Sequence, residues 1–187
     1  MEEEKKPVRK GRWSYTNDFR QAANGEYIYI GATYHFQGEK DARKRGLLRW
    51  GILAVGMAVC AVLGGFIAAP GTANCAYVLI PYTVALLSAC SVLWGYIRLA
   101  AGGDPLRSYI YKATVRQFPL RTILTAMGAA CTVVGELCFV AIHGTQGHVL
   151  EMVVFLVSEA MALALALLWR PLGREMSWEY KPGAEGR

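Results

Sequence analysis

Residues 50–69 read WGILAVGMAVCAVLGGFIAA, twenty positions without a charged side chain. A helix rises about 1.5 Å per residue, so roughly 20 apolar residues cross the about 30 Å of hydrocarbon in a bilayer. Working outward from this run, Ala76–Ile97 is a second uncharged stretch. Thr122–Ile142 is a third, interrupted only by Glu136, and Val149–Trp169 a fourth that carries Glu151 near its start and Glu159 near its centre. The sequence predicts an all-α membrane protein with four transmembrane helices arranged as two helical hairpins.

The composition agrees, since 54% of the 187 residues belong to the hydrophobic set, more than a soluble domain normally carries. The expected organisation is a disordered cytoplasmic tail over 1–12, a small cytoplasmic segment with a β-hairpin over 13–45, a four-helix bundle over 46–170, and a cytoplasmic tail over 171–187. The first apolar run follows a long polar lead rather than the short charged start of a cleavable signal peptide, so it is expected to be retained. Thr72-Ala73-Asn74 before Cys75 is not the lead of a lipoprotein cysteine.

Orientation follows from the basic residues, because loops rich in Lys and Arg resist translocation. Of the 20 Lys and Arg, eleven precede the first span, five lie in the middle connection Arg98–Arg121, and four lie from Arg170 onward. The other two connections, Pro70–Cys75 and His143–His148, hold none. Both termini and the middle connection are therefore expected in the cytoplasm, at the cell membrane. The net charge of +6 is then explained by attraction to anionic headgroups, with Arg107, Lys112, Arg116 and Arg121 as the expected lipid contacts and no nucleic-acid partner.

Before the first span, Thr16 or Asn17 is positioned to cap a short helix through Ala23. Glu26–Ile30 and Thr33–Phe36 are β-branched and aromatic stretches flanking Gly31-Ala32, the pattern of a two-residue hairpin with Gly31 at positive φ. In the middle connection Asp104-Pro105 resembles a helix start, and Leu106–Gln117 is expected as an interfacial helix closed by Pro119, although the same residues also alternate like a strand. An internal repeat is visible as well. Tyr27-Ile28-Tyr29 corresponds to Tyr109-Ile110-Tyr111, Arg49 to Arg121, Gly71-Thr72 to Gly144-Thr145, and Leu93-Trp94 to Leu168-Trp169. A tandem duplication of a cytoplasmic segment plus a helical hairpin accounts for that correspondence.

Small residues recur at helical spacing as Gly56, Cys60 and Gly64 in the first span and Gly128, Cys131 and Gly135 in the third. Such side chains let helix backbones approach, either within the bundle or between copies of the chain. Glu136 and Glu159 are expensive inside a bilayer and must face protein or water. With no Lys or Arg inside a span to pair with them, they are expected to be protonated, hydrogen-bonded to Ser88, Ser91 or Thr132, or beside a wet cavity. Together with Glu151, His143 and His148 they could form a descending column able to pass protons or a cation. His143, His148 and Glu151 are too few and too loosely spaced to identify a metal centre. The five cysteines include no C-x-x-C pair, and no phosphate loop or nucleophile–base arrangement is present. No cofactor and no catalysis are expected. The reading that follows is a membrane interaction or accessory subunit, with a small transporter built on Glu136 and Glu159 as its rival.

Overall fold

The computed structural model describes residues 18–21, 25–67, 69–174 and 176–183. The expected disordered tail falls outside these residues. Among them the chain is mostly helical, with small sheets at one end.

The apolar runs form α1 (Lys40–Phe66), α3 (Ala76–Ala101), α5 (Phe118–His143) and α6 (Val149–Arg174). Each contains a stretch long and apolar enough to cross a membrane, an arrangement compatible with a multi-pass membrane protein. The helix α1 packs on α3 and α6, and α5 packs on the same two, so the four stand at the corners of a square with α1 diagonal to α5. Large apolar side chains such as Leu63, Ile80, Leu87, Met127, Val134 and Val157 point outward. That outward apolar surface suits hydrocarbon.

The glycine seam packs within the bundle. A Cβ on Gly128 would lie 2.8 Å from the Ala85 nitrogen and 2.9 Å from the Pro81 carbonyl oxygen, and one on Gly135 would lie 3.2 Å from the Tyr77 oxygen. Pro81 lacks the N–H that would have bonded that Tyr77 carbonyl, so α5 approaches α3 where its ladder is interrupted. Gly56 and Gly64 face α6, against Leu165 and against Glu159 and Ser158 respectively. Cys131 is exposed and Cys60 half-buried, so the cysteines are not the points of closest approach.

The first connection between spans holds a short helix, α2 (Pro70–Asn74), with Pro70 and Gly71 buried. It is not a bare tight turn. At the opposite end Trp50, Phe118 and Trp169 form a triangle with ring centroids 5.1–5.4 Å apart, joining α1, α5 and α6.

Beyond that triangle lies a layer the sequence predicted in part and misassigned in part. Strands β1 (Phe19–Gln21) and β2 (Tyr27–Tyr29) pair antiparallel. Strand β3 (Thr33–Phe36) pairs instead with β4 (Leu106–Arg107) and β5 (Trp178–Lys181), in the order β4-β3-β5. The expected hairpin across Gly31-Ala32 is therefore corrected, because its two strands belong to different sheets. Gly31 is also not among the glycines of positive φ; space is what demands it, since a Cβ there would lie 2.7 Å from Asp18 and from the Tyr29 hydroxyl. Phe19–Gln21 is strand where a short helix was expected. Residues 106–107 are strand, α4 (Ser108–Ala113) starts only at Ser108, and Pro119 opens α5 rather than closing the preceding helix. Tyr27–Tyr29 is strand whereas its repeat counterpart Tyr109–Tyr111 is helical.

Candidate functional site

Two buried carboxyls stand out at the end of the bundle away from the sheets. Counting helical rise, Glu136 lies about 10 Å below the end of α5 at His143, and Glu159 about 15 Å below the start of α6 at Val149. Both are 0% exposed. Both side chains are turned into the bundle, the first of the two surroundings, protein or water, that the sequence left open.

Their partners differ from those expected. Glu136 Oε1 accepts a hydrogen bond from the Gly71 backbone N–H at 3.4 Å, while its Oε2 has no partner among the described residues. Thr132 is committed elsewhere, donating to the Gly128 carbonyl at 2.9 Å. A Cβ on Gly71 would collide with Oε2, so glycine at this position is what admits the carboxyl beneath α2. The sequence held one hint, a Pro-Gly pair directly after an apolar run, but nothing in it tied Gly71 to Glu136.

Neither oxygen of Glu159 finds a hydrogen-bond partner among the described residues. Its surroundings are Gly64 of α1, whose Cβ would lie 3.1 Å from Oε1 and 3.3 Å from the Tyr82 ring. Tyr82 itself donates to the Ala61 carbonyl at 2.7 Å and packs on Phe155, with 5.7 Å between ring centroids. Ser158 spends its hydroxyl on the Phe155 carbonyl at 2.7 Å. A buried carboxyl left without a partner carries a desolvation cost that packing alone does not repay.

The rest of the expected column does not assemble around these two. His148 Nδ1 and Glu151 Oε1 are 3.5 Å apart with both side chains about half exposed. His143 is exposed and stacks on Phe139, with centroids 4.6 Å apart. Among the described residues no cluster of three or more metal-ligating side chains is present.

At the sheet end the basic residues divide. Arg107 lies over the rings of Phe19 and Tyr29 at 5.6 and 5.5 Å, and Lys112 and Arg116 are exposed. Arg121 is engaged inside the protein instead, donating to the Ser91 carbonyl at 2.9 Å and the Ala113 carbonyl at 3.3 Å. Tyr34 stacks on Tyr111 at 3.8 Å, Trp178 meets Phe36 at 5.7 Å, and Arg43 lies over Trp178 while donating to the Gly103 carbonyl. Tyr29 donates to the Ala32 carbonyl at 3.0 Å and accepts from the Ser108 N–H at 3.3 Å, and burial pushes its hydroxyl above the ordinary tyrosine range. These contacts bind segments far apart in sequence into one layer.

No protein-family model, no curated protein and no solved structure matches this chain.

Proposed function

We propose that the chain is a four-span protein of the cell membrane with both termini cytoplasmic, and that it is a non-catalytic interaction or accessory subunit whose strand layer receives a protein partner. The observation that carries this reading is the β4-β3-β5 sheet, built from segments near residues 33, 106 and 178 at one end of the bundle. Joining three remote stretches fixes a surface that membrane insertion alone does not require. Exposed Arg107, Lys112 and Arg116 lie in the same layer, and they suit an acidic partner surface or anionic headgroups. The correspondence between the two helical hairpins supports a tandem duplication.

The test is affinity purification of the full chain from native membranes, beside a variant carrying Arg107→Glu, Lys112→Glu and Arg116→Glu. A reproducible partner that the charge reversal releases is expected. A homo-oligomer without any partner would contradict the reading.

A second reading, a small cation or proton pathway, is favoured by one observation: the three oxygens of Glu136 and Glu159 that lack partners among the described residues. Groups kept at a cost to stability are commonly kept for function.

A further inference from the structure

A groove of about 270 Å³ opens between α5 and α6 on the outer surface of the bundle. Its floor is formed by Ala126, Ala130 and Ala166, and its inner end by Thr122 and Arg170. The alanines leave the space that larger residues would fill, and the walls are apolar. Thr122 turns its hydroxyl back to the Phe118 carbonyl at 2.9 Å and offers no donor to the groove. Arg170 is exposed and makes no hydrogen bond or ion pair with the described residues.

We propose that this groove holds one acyl chain of an anionic phospholipid of the inner leaflet, with the phosphate on the Arg170 guanidinium. The inference rests on the membrane reading above. From Thr122 to Ala130 the groove runs about 12 Å along α5, and from Leu163 to Arg170 about 10 Å along α6. Half of the hydrocarbon thickness is about 15 Å, so the groove covers most of the depth of one leaflet and ends toward the bilayer midplane. Its single cation stands at the end facing the strand layer, where the headgroups of that leaflet lie. A planar guanidinium whose donors are not used by the described residues matches phosphate oxygens. An apolar slot closed by a cation is complementary to a chain closed by an anion, and a second copy of the chain would bring Arg170 against another Arg170 in a symmetric pairing.

The experiment is native mass spectrometry of the full chain, delipidated in detergent and titrated with phosphatidylglycerol or phosphatidylcholine of identical chains. Phosphatidylglycerol should be retained about fivefold better, the preference one basic residue near the surface supplies. Arg170→Gln should abolish the preference while Lys44→Gln, at an exposed position at the same end of the bundle, keeps it. Ala130→Phe, or Ala130→Leu if the larger ring impairs folding by circular dichroism, should weaken retention of both lipids. A preference that survives Arg170→Gln, or that Lys44→Gln removes equally, would overturn the proposal. So would retention indifferent to filling at Ala130, or a dimer in detergent that the filled variant dissolves. Failure here leaves the partner capture described above unaffected, and failure of that capture leaves lipid retention to be read independently.

Discussion

The Gly71 N–H and the Glu136 carboxylate oxygen meet 3.4 Å apart, across a sequence separation of 65 residues. This contact ties the short helix α2 to the interior of α5, and there is no room for a side chain at position 71. Gly71→Ala should therefore lower stability in detergent by about 1–3 kcal/mol, the usual cost of overpacking. Shortening the partner makes room, so adding Glu136→Ala to Gly71→Ala should recover part of the loss. A double-mutant cycle by thermal unfolding checks this, and additive losses would mean that the two residues do not meet.

Glu159 poses the opposite problem, a buried carboxyl whose oxygens have no partner among the described residues. Glu159→Gln preserves shape and should change stability by within about 1 kcal/mol. Glu159→Leu removes a buried polar group that gains nothing from packing, so it should leave the melting temperature unchanged or raise it. A marked destabilisation by Leu would reveal a hydrogen-bond partner. The same variants in reconstituted vesicles decide between the two functional readings: cation or pH flux in the parent that Gln abolishes would give the function to the carboxyls.

Trp169 is 3% exposed within the triangle of Trp50 and Phe118, whereas Trp94 is 63% exposed. Trp169→Ala should cost about 3–5 kcal/mol. Trp94→Ala should cost far less, since its ring faces outward. Equal losses in a thermal melt would count against the triangle as the anchor of the bundle's sheet end.

Tyr29 fastens β2 to the start of α4 through Ser108. Its hydroxyl titrates above the ordinary value of 10.0 in the folded chain because burial disfavours the phenolate. The stability it contributes is thus fully present below pH 10 and is lost as pH rises through the raised folded value. The protection factors of amides across residues 27–36, which divide out the intrinsic base catalysis of exchange, should fall in that alkaline window in the parent, and Tyr29→Phe should lack this step. Unchanged protection factors in the parent through the window would show that the latch does not hold the layer.

How far the sequence discloses this molecule depends on the range of the interactions involved. The four helices are legible because each is decided by a contiguous run of apolar residues against a fixed thickness. The burial of Glu136 and Glu159 is legible too, since a carboxyl within such a run has to face protein or water. The strand layer is only half legible. Tyr27–Tyr29 and Thr33–Phe36 have strand composition, but a Gly-X pair between two such stretches favours the local hairpin on paper, whereas Thr33–Phe36 pairs with residues more than 70 and 140 positions away. No local pattern encodes those partners. Gly71 escaped for the same reason, because its need for glycine arises from Glu136 and not from its own turn.

The arrangement in the bilayer is the claim on which the rest depends, and single-cysteine labelling tests it most directly. In a variant with all five native cysteines replaced, Cys would be introduced singly by Thr72→Cys, Thr145→Cys, Asp104→Cys or Lys181→Cys and treated in intact cells with a membrane-impermeant maleimide. Labelling at positions 72 and 145, with positions 104 and 181 labelled only after permeabilisation, is the predicted result. Labelling of 104 or 181 in intact cells, or protection of 72 and 145, would contradict it.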